Sequence, residues 1–174
     1  DLTKGAVLEA GCVYLVPLQE RLKLPKDLSA AANPKSSTGR IDVFVRAVSD
    51  RARAFDGVPA GYAGDLYAEI SPRTFSVLAR TGDRLLQLRV RRGPQTAVRD
   101  MTFSLDLFPT KSDIVGYRAK RHSRVIDLAA IGAHVVEDFW EPVRARGGRI
   151  VLDPGEFYIL ASKEKIVIPL DEAA

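Results

Sequence analysis

Scarcity narrows this sequence more than abundance does. It holds one cysteine, Cys12, so an intramolecular disulfide is excluded and a reducing, cytoplasmic setting is expected. Cys12 sits in the apolar run Cys12–Val16 and reads as a small buried hydrophobe. Two histidines, His122 and His134, cannot join one cysteine to build a usual structural zinc site. Nor can they supply the His/Cys/Cys set of the zinc nucleobase deaminases, so any hydrolytic water must be activated without zinc. No apolar run approaches the ~20 residues that span a bilayer, and no membrane partner is expected. The opening Asp1-Leu2-Thr3-Lys4 lacks a basic-then-apolar leader and an initiator methionine, and the chain reads as a fragment.

What is present is ordinary for a folded domain: 46% hydrophobic and 28% charged residues in 174, with a net charge of +4. The basic residues are dispersed, with small clusters at Arg89-Arg91-Arg92 and Arg118-Lys120-Arg121-Arg124. No interleaving of aromatic and basic residues accompanies them, so nucleic acid is not the expected partner. A small polyanion such as a nucleoside triphosphate fits the charge.

Short β-type runs recur between turn signals. Those over 13–18, 43–48, 65–70, 75–78 and 85–90 are the clearest, punctuated by Pro25, Asn33-Pro34, Asp56-Gly57, Ala60-Gly61 and Thr81-Gly82-Asp83. This spacing predicts a mainly β sandwich or barrel. In 65–70, Leu66, Ala68 and Ile70 share one face while Asp65, Tyr67 and Glu69 share the other. The stretch 127–140 is ambiguous between strand and helical turn, and Trp140 reads as a core residue. His122 and His134 have no evident partners and read as surface or core positions.

The chain also repeats itself. Leu8-Glu9-Ala10-Gly11-Cys12-Val13-Tyr14 returns as Leu152-Asp153-Pro154-Gly155-Glu156-Phe157-Tyr158. The same offset of 144 pairs Glu20 with Glu164, Pro25 with Pro169 and Asp27 with Asp171. One gapless register predicts a duplicated domain: a first copy over 1–92, a linker over 93–100, and the start of a second copy over 101–174, opening with a strand at 101–107.

Two segments carry chemistry. Lys35-Ser36-Ser37-Thr38-Gly39-Arg40 offers two cations and three hydroxyls beside a glycine. Hydroxyls and backbone N–H groups donate to phosphate oxygens, and arginine can bind a phosphate through two parallel hydrogen bonds. The same letters also make an ordinary surface turn. The second segment, Gly61-Tyr62-Ala63-Gly64 through Glu69, is a turn feeding a strand with a carboxylate near its far end. Glu69 either lines a cleft as a general base or simply faces water. Asp56 and Asp65 are competing carboxylates in turn-like context.

These pieces, taken in order with Gly82 through Gln87-Leu88, resemble the dCTP deaminase branch of the dUTPase-like superfamily. That family has an R-S-S-L-A-R phosphate motif and then a P-G-[WFY]-x-G turn seven residues ahead of a strand glutamate. A P-G-x-x-I-x-Q-L strand follows. Ser104-Leu105-Asp106-Leu107 resembles the family's opening strand. The resemblance implies a distorted dUTPase-like β-barrel (a β-clip), a homotrimer with active sites shared between subunits, and conversion of dCTP to dUTP and ammonia for thymidylate synthesis. It implies that Glu69 activates the water and shuttles its proton. Ser36 and Arg40 would assist catalysis while holding phosphate, and Lys35, Ser37, Tyr62 and Gln87 would bind substrate. Mg2+ would arrive with the triphosphate.

The sequence departs from the pattern in places. Lys35 replaces the motif's first arginine, and Thr38-Gly39 replaces Leu-Ala. The stretch from Arg40 to Tyr62 is about six residues longer than usual. Pro59 stands where the family has an aspartate, a place Asp56 could take if its loop bends back. The related aspartate is the dUTPase base, so dUTP pyrophosphatase or bifunctional activity is one alternative, and a non-catalytic nucleotide-binding module is another.

Overall fold

The computed structural model describes residues 1–50, 52–93 and 100–167. The chain divides into two compact units, Asp1–Thr96 with Arg121–Asp138, and Ala97–Lys120 with Phe139–Ala174. The linker expected at 93–100 falls, over 94–99, outside the described residues, as do Pro169 and Asp171 of the repeat.

The first unit is mainly β, as the turn spacing predicts. Its elements are β1 (Ala6–Leu8), β2 (Tyr14–Lys23), β3 (Leu28–Pro34), a single helical turn α1 (Ser36–Gly39), β4 (Val43–Ser49), β5 (Gly57–Val58), β6 (Ala63–Pro72), β7 (Val77–Ala79) and β8 (Leu86–Arg92), with β10 (Ile126–Asp127) returning later in the chain. They form three small sheets, ordered β2-β6-β4, β5-β3-β8 and β1-β7-β10. β6 is the central strand of its sheet, antiparallel to both neighbours, with Val16 and Ala47 opposite Ala68. The expected alternation holds: Leu66, Ala68 and Ile70 are buried, while Asp65, Tyr67 and Glu69 are only half-buried. Leu66 meets Ala30 of β3 and Val58 of β5, with Leu18, Leu22, Leu24 and Tyr62 packed around them. Small and aliphatic side chains at these positions let the two sheets stack closely.

β3 is not evident in the sequence because Ala30, Ala31 and Ala32 have little strand preference and Pro34 ends the run. Its register with β8, from Leu28 opposite Arg92 to Pro34 opposite Leu86, supplies the stability that propensity does not. Cys12 departs from expectation and is exposed. Its N–H closes a turn onto the Glu9 carbonyl (3.2 Å), which places it ahead of the strand, outside the core.

The ambiguous stretch at 127–140 resolves into three pieces. β10 pairs parallel to β7, a one-turn 3-10 helix follows at Val136–Asp138, and a strand begins at Trp140. Arg80 grips Asp127 through two parallel bonds, Nη1 to Oδ1 at 2.5 Å and Nη2 to Oδ2 at 2.9 Å. Arg80's donation, aided by the Ala129 N–H, holds the Asp127 carboxyl below its usual range. His134 Nε2 lies 3.0 Å from the Asp127 carbonyl oxygen.

The second unit contains β9 (Ile114–Ala119), β11 (Trp140–Arg144) and β12 (Tyr158–Leu160), with β9 central. The strand expected at 101–107 is irregular apart from one bridge, Leu105 to Ser162. Around that bridge Asp106 N–H donates to Ala161 and Lys163 N–H to Ser104, but Pro109 follows and the pairing does not extend. Trp140 is half-buried, its ring 6.0 Å from that of Phe157.

The repeated sequence folds the same way twice at the local level. Cys12 N–H bonds Glu9 C=O at 3.2 Å and Glu156 N–H bonds Asp153 C=O at 3.3 Å. Gly11 and Gly155 take φ of 84° and 75°, the left-handed region that glycine enters without strain. Each turn is then tied to the strand it feeds: the Tyr14 hydroxyl accepts from Glu9 N–H (2.9 Å), and the Tyr158 hydroxyl from Asp153 N–H (3.1 Å).

Two predictions concern stability. Phe75 is fully buried, so Phe75→Ala should cost about 3–5 kcal/mol by denaturant unfolding. Because Asp127's folded pKa is depressed, its pairing contributes stability that is in place above the unfolded value of about 4 and is lost as pH falls through the lower folded value. The parent should therefore show a falling thermal midpoint below about pH 4. Asp127→Asn should lower the midpoint at neutral pH and flatten that acid decline.

Candidate active site

The phosphate-type segment is built by the end of β3. Lys35 N–H donates to Leu85 C=O (2.9 Å), which pins the segment beside the start of β8. Thr38 is the buried member of α1 and donates its hydroxyl to the Lys35 carbonyl at 2.5 Å. This accounts for a threonine between exposed serines: it folds the turn, leaving Ser36, Ser37 and Arg40 in solvent and Lys35 half-buried. A Cβ on Gly39 would meet no other group. Gln87 joins this cluster, opposite Asn33 and with Nε2 3.4 Å from the Pro34 carbonyl.

α1 runs directly into β4, whose first residue, Val43, pairs with Pro72 at the end of β6. Glu69 is three residues back from Pro72, or about 10 Å of strand. The cation-and-hydroxyl segment and the glutamate thus lie toward one end of the same sheet. Tyr62 lies at the opposite end of β6. Its hydroxyl donates to Asp65 C=O (2.5 Å) and accepts from Asp50 N–H (3.0 Å), and its ring packs against the core.

Glu69 does not simply face water. Its side chain is 21% exposed and sits in register between Leu15 of β2 and Arg46 of β4. Arg46 donates to Oε1 from Nε (3.0 Å) and from Nη2. Oε2 has no partner among the described residues. The Arg46 guanidinium lies 3.5 Å above the Phe55 ring and 5.3 Å from that of Phe44. Both rings and Leu15 are exposed, forming an apolar surround to the carboxylate.

Arg46 and Phe55 are not marked by the sequence pattern. Alternation along β4 does put Arg46 on the outward face with Phe44, and that is the only local signal. Its position opposite Glu69 depends on strand register, and Phe55 arrives from a loop.

That loop does bend back. Asp56 N–H donates to Ala47 C=O (2.9 Å), its Oδ1 accepts the Ala47 N–H (2.7 Å), and its carbonyl accepts from Ala32 N–H (2.8 Å). Asp56 takes φ of 62°, a region aspartate tolerates better than most residues. Asp56 therefore anchors the loop through its backbone and Oδ1.

A cavity of about 560 Å3 opens on the other face of β6, lined by Leu18, Leu66, Ala68, Ile70 and Leu86 among others, with Gln87 reaching it. Glu20, Arg80, Asp83 and Arg84 also line it.

The first unit thus holds an arginine-bound glutamate on a β-sheet whose edge strand β4 follows a turn of cations and hydroxyls. The chain matches the family models of the 2'-deoxycytidine 5'-triphosphate deaminase N-terminal domain over residues 1–94 and C-terminal domain over 79–174. The chain belongs to the dCTP deaminase family. It is also similar to the crystal structure of 2'-deoxycytidine 5'-triphosphate deaminase from Agrobacterium tumefaciens, with 48% identity and a TM-score of 0.90. The match covers 97% of this chain and 58% of that one. No curated protein matches the chain.

Asp56→Ala should lower stability by about 1–3 kcal/mol in denaturant unfolding, since it strands a partly buried N–H and strains a left-handed position. Asp56→Asn, which keeps an acceptor and tolerates that backbone, should cost less.

Proposed function

We propose that the full-length protein hydrolyses dCTP to dUTP and ammonia, supplying dUTP for thymidylate synthesis. The observation that carries this reading is a family member's glutamate held through one oxygen, with the other free, on the strand whose end at Pro72 pairs with Val43, where β4 begins after the cationic segment. In this reading Lys35, Ser36, Ser37 and Arg40 bind the triphosphate, and Gln87 lies beside them. Tyr62 shapes the β6 entry from within. Mg2+ enters as part of the substrate, coordinated by phosphate oxygens, because the segment offers cations and hydroxyls rather than carboxylates.

The chemistry is a hydrolytic exchange at cytosine C4. Glu69 takes a proton from water as its oxygen bonds to C4, and returns it to the amino nitrogen as the C4–N bond breaks. Ammonia leaves, and the proton remaining on the new C4 oxygen passes to ring N3, so that the ring carries a carbonyl. Ser36 and Arg40 orient water and nucleotide, and orientation of this kind supplies much of the rate.

The exposed Leu15, Phe44 and Phe55 around Glu69 support a site completed by a second copy in a trimer, since apolar surface beside a polar centre marks a contact region. The matched turns at 9–12 and 153–156 support a tandem duplication of 1–92 in 101–174. No helix among the described residues is long and apolar enough to cross a membrane. The single cysteine fits a cytoplasmic setting.

Ammonia and pyrophosphate release from dCTP and from dUTP tests the reading. Ammonia from dCTP should appear with the parent, and Glu69→Gln should reduce it at least ~100-fold while still binding nucleotide. Pyrophosphate release would instead indicate a dUTPase or bifunctional enzyme, and silence in both channels a binding module.

A further inference from the structure

We infer that Arg46 is a positioning residue for Glu69 and that the 52–57 segment sets it through Phe55. This rests on the assignment of Glu69 as the proton carrier. Glutamate has three side-chain torsions, and left to solvent its carboxylate samples several rotamers. Here both Arg46 donors reach one oxygen, Oε1, so the group is held at one corner while Oε2 stays available.

Arg46 is itself restrained. Its partner strand fixes the backbone, with Arg46 opposite Glu69, and the Phe55 ring lies 3.5 Å beneath the guanidinium. A planar cation over an aromatic face is attracted to it, and stacking removes much of arginine's rotamer freedom. Phe55 reaches this place because the next residue, Asp56, is bonded to Ala47 on both backbone and side chain. Ala47 follows Arg46 directly, so the anchor that folds the loop lies one residue from the cation the loop holds. The order of control runs from the Asp56 anchor to the Phe55 ring, to the Arg46 fork, to the Glu69 carboxylate.

An exposed or half-exposed ion pair adds little to stability. With Arg46 at 31% and Glu69 at 21% side-chain exposure, the pair's main effect is geometric. Lysine at 46 would keep the charge and lose both the fork and the stack. Because the fork acts on the base rather than on the nucleotide, its loss should appear in kcat and leave KM largely unchanged.

The test is steady-state deamination of dCTP by the full-length protein as parent, Arg46→Lys, Phe55→Leu, Phe55→Tyr and Glu69→Gln, each with its thermal midpoint. The expected result is a kcat about 10–100-fold lower in Arg46→Lys with KM within about 3-fold. Phe55→Leu should fall about 3–10-fold, and Phe55→Tyr, which restores the aromatic face, should recover most of that loss. Should Arg46→Lys fail to fold, the Leu and Tyr variants at 55 carry the comparison, because neither alters the ion pair.

Normal kcat in Arg46→Lys beside a silent Glu69→Gln overturns the positioning role and leaves the base assignment standing. A raised KM with unchanged kcat makes Arg46 a substrate contact and overturns it as well. Turnover retained by Glu69→Gln, or no ammonia from the parent, overturns the base assignment and Arg46's role with it.

Discussion

The pairing of β6 with both of its neighbours is the constraint on which the first unit depends. A central antiparallel strand has its backbone groups satisfied on both edges, so its side chains alternate rigidly between two faces. In β6 one face is Leu66, Ala68 and Ile70, all buried, with Leu66 packed against Ala30 of β3 and Val58 of β5. The other carries Glu69 between Leu15 and Arg46. A one-residue slip would bury the glutamate and expose the isoleucine. The hydrophobic requirement that fixes the core therefore also fixes the carboxylate.

The same sheet brings the cationic segment within range. The chain leaves β3 at Pro34, makes one turn around the buried Thr38, and enters β4 at Val43 opposite Pro72. Thr38 is where a surface turn becomes a positioned one, because its hydroxyl closes the turn and its burial fixes the orientation. The serines and Arg40 can then stay in solvent, where phosphate would meet them without a large desolvation cost. The Phe55 loop is organised by a comparable device, with Asp56 supplying the bonds and Phe55 the contact.

Much of this was legible from residue patterns. Turn punctuation gave a mainly β chain, and alternation placed Glu69 opposite the aliphatic face. The order of Lys35–Arg40, Tyr62, Glu69 and Gln87 pointed to the deaminase family, which the family matches establish. The failures have identifiable causes. β3 is alanine-rich, and its strand character comes from pairing with β8 rather than from propensity. The apolar neighbours of Cys12 suggest a core position, but Val13, just ahead of β2, and Leu15, within it, are exposed too. The strand at 101–107 was expected from a motif whose pairing here extends no further than one bridge.

What the sequence by itself determined was the inventory: a carboxylate on the polar face of a strand, cations and hydroxyls at a turn, and two turns of identical design 144 residues apart. These are local properties, set by side-chain period and by which residues tolerate a tight turn. Only the tertiary structure decided that Arg46 faces Glu69, that Phe55 lies under Arg46, and that Asp56 is bonded to Ala47. Those relations join residues 9 to 23 positions apart through strand register and loop closure. Register is a collective outcome of burying one face of a whole sheet, so no single residue encodes it.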